Sequence, residues 1–148
     1  MKLVRQYINI LPIILLSFMF TLSSCDATKE QDVTPVALDG TWQLIGYQGA
    51  AGKLEQNTEN INENPIIAFK QGDYGGSTLH NAYTGSYTLI NSQYLVLTTP
   101  VSTLTTESQW GVKFLESLPQ AENYNIDNQL LYMTLKGGEV RMVFQKMK

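Results

Sequence analysis

Several short segments of the sequence alternate between two kinds of side chain, with the two-residue period of a β-strand that has one covered face. The segment YTGSYTL (residues 83–89) places Tyr, Gly or Leu at every odd position and Thr or Ser between them. Further strands are predicted at 41–47, 66–69 and 94–98, with a closing pair at 131–135 and 140–144. Gly137-Gly138 permits a tight turn within that pair. The pattern predicts a mainly β, antiparallel domain.

One segment has a different period. Trp110, Phe114 and Leu118 recur every four residues, which is typical of one face of an α-helix. Thr106 and Gln109 have the spacing of a capping box and predict where this helix begins, and Pro119 predicts where it ends. We therefore expect a single α-helix that closes the β domain.

Composition excludes several classes of function. The chain has 148 residues, enough for one ordinary domain, and its net charge is −3. A chain of this sign lacks the basic face that nucleic-acid binding requires. One Cys and one His allow neither an internal disulfide nor an imidazole metal cluster. We expect no nucleic-acid partner, no metal and no cofactor.

The N-terminal segment predicts the location of the protein. Lys2 and Arg5 precede an apolar run from Ile8 to Leu22, which is too short for a permanent membrane span but typical of a cleavable signal peptide. The junction Leu22-Ser23-Ser24-Cys25 resembles the bacterial lipobox, which implies transfer of diacylglycerol to Cys25 and cleavage before it. The alternatives are an ordinary secretory signal with an incidental Cys, or an uncleaved anchor.

These observations divide the chain into three parts. Residues 1–24 are predicted to be a lipoprotein signal peptide, 25–37 a lipidated flexible tether and 38–148 the β domain. The expected location is the bacterial cell envelope, with the protein attached to the membrane through acyl chains on Cys25. Asp26 resembles an inner-membrane retention signal, and the charged tether residues could belong to a surface-export signal. Inner or outer membrane, and periplasmic or surface exposure, stay open.

The order of these segments resembles the META domain, the heat-shock-lipoprotein type of bacterial envelopes. The resemblance runs from about Leu38 to Phe144 and includes the segments GTWQL (residues 40–44) and PIIAF (65–69). The family's Gly-Cys-Asn…Gly-x-Tyr block is matched here by LHNAYTGSY (79–87). His80 replaces the first family Cys, and no Cys follows Ser102-Thr103. The resemblance implies a small antiparallel β-barrel-like fold with one α-helix, usually lipid-anchored, without known catalysis.

Candidate catalytic groups are few. His80 has no recognisable orienting partner in the sequence and is interpreted as a turn or strand-edge residue. The Gly-rich segment Asp73–Ser77 lacks the Lys of a phosphate-binding loop and is interpreted as a turn or bulge. Glu107 and Glu116 are interpreted as solvated helix positions, Glu107 also favouring the N-terminal end of the helix dipole. We expect no catalytic residues and no enzymatic activity.

Two classes of function remain. The first is a non-enzymatic envelope protein that acts through protein contacts in envelope maintenance or stress response. The second is a lipocalin-like protein that binds a small apolar or glycan ligand; tyrosines such as Tyr83 could stack on sugars or be ordinary strand residues. The predicted interaction surface is the turn that contains His80, Asn81 and Tyr83. A filled barrel interior with an exposed apolar patch would favour the first class.

Overall fold

The computed structural model describes residues 38–58, 60 and 64–148. The predicted signal peptide and tether, and with them Cys25, lie outside the described residues. The elements in chain order are β1 (Gly40–Gly49), β2 (Leu54–Glu55), β3 (Ile66–Lys70), β4 (Asp73–Ser77), β5 (Ala82–Leu89), β6 (Leu95–Leu97), β7 (Val101–Ser102), the helix α1 (Gln109–Ser117), a 3₁₀ turn (Leu118–Gln120), β8 (Ala121–Asp127), β9 (Leu130–Leu135) and β10 (Val140–Lys146).

Eight of these strands form a nearly closed antiparallel barrel. Their order is β6-β5-β4-β3-β1-β10-β9-β8, with β2 paired to β1 and β7 paired to β5. The end strands meet at the bridge between Tyr94 and Asn123, where the Tyr124 N–H donates to the Gln93 carbonyl at 2.8 Å. The predicted fold class, a small antiparallel β-barrel with one α-helix, is confirmed.

The interior of the barrel is packed with large side chains. Trp42, Leu44, Phe144 and Met142 point inward from the paired strands β1 and β10 and are completely buried. Phe114 of α1 packs among them, with its ring centre 6.4 Å from that of Phe144. Each buried aromatic side chain of this kind stabilises the fold by roughly 3–5 kcal/mol relative to Ala. The protein's own side chains therefore occupy the space where a lipocalin would hold its ligand.

The predicted helix is confirmed, but it begins two residues later than the capping box suggested. Trp110, Phe114 and Leu118 are buried, as the four-residue spacing predicted. The N-cap is Ser108, whose hydroxyl accepts a hydrogen bond from the Gly111 N–H at 3.0 Å. The α-helix ends at Ser117, and Pro119 lies in the 3₁₀ turn that follows.

The Gly-rich segment Asp73–Ser77 is a strand, so its interpretation as a turn or bulge was wrong. The turn lies earlier, at Gln71 and Gly72, both of which have positive φ. Strand β4 needs small residues because neighbouring backbone lies close to them: a Cβ would meet the Ile66 carbonyl at Gly76 and the Tyr83 carbonyl at Gly75. On the adjacent strand β5, the ring of Tyr74 covers Gly85, where any Cβ would clash with it. Glycine here allows close approach of neighbouring backbone and of one buried tyrosine ring rather than bending the chain.

Candidate functional site

One end of the barrel is formed by the turn from Thr78 to Asn81, which joins β4 to β5, and by the loop 103–108, which precedes α1. The turn is closed by its own backbone, since the Thr78 N–H donates to the Asn81 carbonyl at 2.8 Å. The loop is held against it by a hydrogen bond from the Thr103 N–H to the Ala82 carbonyl at 3.0 Å. Two segments distant in sequence therefore form one surface.

The side chain of Asn81 links the turn to the loop. Its amide Nδ2 donates to the Thr105 carbonyl at 2.9 Å and to a Glu107 carboxylate oxygen at 2.8 Å. Its Oδ1 accepts from the Thr103 hydroxyl at 2.8 Å and from the Thr105 N–H at 2.9 Å. With these four hydrogen bonds the carboxamide uses both donor hydrogens and both acceptor lone pairs. Asn81 is 4% exposed, so these bonds replace contacts with water that burial has removed.

Glu107 is the second centre of this network. Its carboxylate accepts hydrogen bonds from the Thr78 hydroxyl, from Asn81 and, at 3.0 Å, from the Ser108 N–H. Burial alone would raise the pKa of the Glu107 carboxyl, but the donors from Asn81, Thr78 and Ser108, together with the charge of His80, hold this pKa below its ordinary value. The side chain is therefore kept ionised as a hydrogen-bond acceptor.

The interpretation of Glu107 as a solvated helix position was wrong. Glu107 precedes the N-cap and is half-buried, because its side chain folds over Gly111, where a Cβ would clash with it. Glu116 is exposed on α1, as expected.

The three residues of the predicted interaction surface differ in their exposure to solvent. His80 is exposed in the turn, whereas Asn81 and Tyr83 are each 4% exposed. The Tyr83 hydroxyl donates to the Ile66 carbonyl at 2.7 Å, and burial, with Tyr74 nearby, raises its pKa. Of the three, only His80 can meet a partner directly; Asn81 and Tyr83 support the surface from within.

Two exposed leucines complete this surface. Leu79 precedes His80 in the turn and is 39% exposed, and Leu104 in the facing loop is fully exposed. Leu104 stands between Thr103 and Thr105, both of which are hydrogen-bonded to Asn81. We call Leu79, His80 and Leu104 the end surface. Neither leucine was predicted to belong to the surface, although an isolated Leu within the Thr-rich stretch 102–106 is a visible signal.

A groove of about 760 Å³ lies elsewhere, between β1, β2, α1 and the β9–β10 hairpin. Lys113 crosses it: its Nζ is 2.8 Å from a Glu55 carboxylate oxygen and 4.3 Å from the centre of the Tyr47 ring. The Tyr47 hydroxyl donates to the Ser117 Oγ at 3.2 Å, and burial raises the pKa of Tyr47. We call this the Tyr47 groove. Its apolar lining comes from Tyr47, Leu54, Leu135 and Val140.

Among the described residues, no group of three or more His, Cys, Asp or Glu side chains is placed to hold a metal ion. No helix within the described ranges has the length and apolar character needed to cross a bilayer.

The fold defines a class: a small antiparallel β-barrel closed by one helix. Within that class, the model of the META domain matches residues 31–148, so the chain belongs to the META domain family, as the sequence resemblance predicted. A comparison with curated protein sequences finds no match.

Two solved structures share the fold. One is a DUF4847 family protein from Bacteroides vulgatus, with a TM-score of 0.59 and 19% identity over 74% of this chain and 95% of that one. The other is a protein from Burkholderia xenovorans, with a TM-score of 0.58 and 20% identity over 74% of this chain and 83% of that one. At these identities the likeness concerns the fold alone.

Proposed function

We propose that this META domain protein is a lipid-anchored, non-enzymatic component of the bacterial cell envelope that acts through protein contacts in envelope maintenance or stress response. The observation that carries the proposal is the end surface: a fully exposed Leu104 presented by a loop that the hydrogen bonds of Asn81 and Glu107 hold in place. The packed barrel interior supports the same conclusion, because function then resides on the outside.

The end surface has the properties of a contact site rather than of an incidental loop. Burial of an exposed leucine by a partner stabilises the complex, by about 1.5–3 kcal/mol when the burial is complete. The loop that carries Leu104 is already ordered by hydrogen bonds to Asn81, so binding costs little additional conformational entropy. His80 adds a polar group that can orient a partner. Apolar side chains with a few fixed polar neighbours are typical of protein interfaces.

The non-enzymatic part of the proposal rests on the state of the site's only carboxylate. Glu107 accepts hydrogen bonds from three residues of the protein, and its pKa is lowered, which is the reverse of what a general acid needs. His80 is exposed rather than set in a cleft. The envelope location and the anchor rest on the junction Leu22–Cys25 in the sequence.

Crosslinking in intact cells tests the protein-contact proposal. We expect Leu104→Ser to remove a specific crosslinked adduct while leaving the melting temperature unchanged, because the side chain contributes no buried area to the fold. Met147→Ser is the matched control, since Met147 is also an exposed apolar residue, at 40%, but lies near the C-terminus. An adduct that survives Leu104→Ser, or one that both variants remove equally, contradicts the proposal. So does turnover of a glycan or ester substrate that depends on an acidic residue.

The Tyr47 groove favours a second candidate function, the binding of a small apolar or glycan ligand. Its volume lies within the range of about 300–1,000 Å³ that is usual for ligand sites. Tyr47 offers a ring face and Lys113 a cation. Ligand binding that is lost in Lys113→Met but kept in Leu104→Ser would favour this candidate over the first.

A further inference from the structure

A long uncharged stretch runs through the middle of the chain. Residues 74–106 contain no Asp, Glu, Lys or Arg, although the whole chain has 10 Lys or Arg and 13 Asp or Glu. The charged residues of the β domain therefore all lie before or after this stretch. Because typical soluble domains contain about 25% charged residues, a stretch of this length without one is a strong departure from ordinary composition.

The fold gathers this stretch on one side of the barrel. Strands β5, β6 and β7 all come from it, and β5 pairs with both of the others: Thr88 lies opposite Val96 of β6, and Thr84 opposite Val101 of β7. Thr98 extends the pairing through a hydrogen bond from its N–H to the Ser86 carbonyl at 2.9 Å. We define the side face as the outward residues of these strands: Thr84, Ser86, Thr88, Val96, Thr98 and Val101.

All six residues of the side face are exposed. The apolar members are well exposed, with Val96 at 54% and Val101 at 74%, and Ile90 and Tyr94 extend the patch at the β5–β6 hairpin. Val96 and Val101 are β-branched apolar residues, which in strands normally pack against another layer. On this side the described residues provide no second layer.

Charged groups begin only at the border of the side face. On one side, Asp73 of β4 lies opposite Ser86, with Lys70 of β3 opposite Asp73. On the other side, beyond the Tyr94–Asn123 bridge, β8 ends at the exposed Asp127. An uncharged centre with a charged margin is the composition of a protein interface, in which the core is depleted of charged residues.

We propose that the side face binds the side face of a second copy of this chain, forming a symmetric dimer. A partner with a charged surface would bury that charge without a counter-ion, at a large cost in desolvation. A second copy presents a surface that is equally free of charge, and an isologous contact needs only one such surface. Two sheet faces rich in Thr and Val can then pack as the layers of a sandwich do. The inference goes beyond the proposed function, because it uses a different surface.

Cysteine crosslinking of the full chain in its own membrane tests this dimer. Thr88→Cys and Val96→Cys place thiols on the side face, and Gln145→Cys places one on exposed β10, outside the uncharged stretch. With a short bismaleimide we expect a species of twice the monomer mass from the first two variants and not from Gln145→Cys. The unsubstituted chain controls for its only natural cysteine, Cys25.

A charge placed on the face provides a second measurement. Val96→Glu should weaken self-association by roughly tenfold or more, followed by light scattering of the full chain in neutral detergent, because each dimer would bury unpaired carboxylates. Met147→Glu is the control for added charge. Both positions are exposed, so the melting temperature of the monomer, measured at concentrations where the dimer dissociates, should not change.

Three results would overturn the dimer. The first is light scattering that shows a monomer at every concentration. The second is crosslinked adducts of another mass at positions 88 and 96, which would assign the face to a different partner. The third is a crosslinked dimer that is equally abundant in Gln145→Cys. The test is separate from that of the proposed function, since Leu104→Ser should remove a partner adduct and leave the dimer intact.

Discussion

Asn81→Ala should destabilise the protein strongly, whereas replacement of its exposed neighbour His80 should have little effect on stability. The substitution removes four hydrogen bonds from a side chain that is 4% exposed. Three of them join neutral groups, worth about 0.5–1.5 kcal/mol each, and the fourth reaches the ionised Glu107, worth about 1.5–3 kcal/mol. Their sum is an upper limit, because water can reach the exposed Thr103 and Thr105 once the amide is gone.

We therefore expect Asn81→Ala to lower the free energy of unfolding by about 3 kcal/mol. For a domain of this size that loss corresponds to a fall in melting temperature of roughly 12 °C or more. Urea denaturation, followed by the fluorescence of Trp42 and Trp110, measures the change directly. His80→Ala, the matched control one residue away, should change the free energy of unfolding by less than about 0.5 kcal/mol.

Asn81→Asp sharpens the same test. It keeps the size of the side chain but replaces the Nδ2 donor by a carboxylate oxygen facing Glu107, so two like charges meet. The destabilisation should be larger at neutral pH than in acid, where protonation relieves the repulsion. A loss below about 1 kcal/mol in Asn81→Ala, together with a pH-independent effect of Asn81→Asp, would refute the view that this network holds the end surface.

Four further predictions follow from single residues. Phe114→Ala should cost roughly 3–5 kcal/mol, because Phe114 is completely buried; a change below about 1 kcal/mol in the denaturant midpoint analysis would show that it is not core. Glu107→Gln should make the free energy of unfolding fall less steeply in acid than it does in the unsubstituted protein. Because its pKa is lowered, Glu107 stabilises the fold above pH 4.5, and this contribution is lost as the pH falls below that value. Unfolding curves at a series of pH values measure the difference. Gly85→Ala should destabilise the barrel by more than about 1 kcal/mol, since the new Cβ meets the ring of Tyr74; an unchanged melting temperature would contradict this. Mass spectrometry of the native N-terminus should find a lipidated Cys25 as the first residue, and an unmodified Cys25 would refute the anchor.

The regular elements could be predicted from the sequence because their signals are local. The alternation in residues 83–89 and the stripe through Trp110, Phe114 and Leu118 reflect which face of each element is buried. Strand β4 was missed because its glycines carry no alternation and usually mark turns. Only the close approach of the Ile66 and Tyr83 carbonyls, which depends on the assembled sheet, explains why those glycines lie in a strand.

The sequence predicted the position of the candidate site, but not which residues are exposed in it or which hydrogen bonds hold it. The family block drew attention to His80 and Asn81, yet nothing near them indicates that Asn81 is buried. Its partner Glu107 is 26 residues away and meets it only through the pairing of β5 with β7. Tertiary hydrogen bonds of this kind have no local sequence period, so Glu107 was predicted by helix position alone, and wrongly.

The position of β1 within the barrel determines how the molecule responds to tension. The first long strand lies in the middle of the sheet, between β3 and β10, rather than at an edge. Leu38 lies just before this strand, and its carbonyl accepts a hydrogen bond from the indole N–H of Trp42 in β1 at 3.0 Å. This bond holds the start of the strand against the core. A force applied through the chain ahead of Leu38 would therefore have to separate β1 from two neighbours, whereas an edge strand has hydrogen bonds to only one. If this protein is held by its N-terminal side, mechanical load enters through a strand that is hydrogen-bonded on both sides.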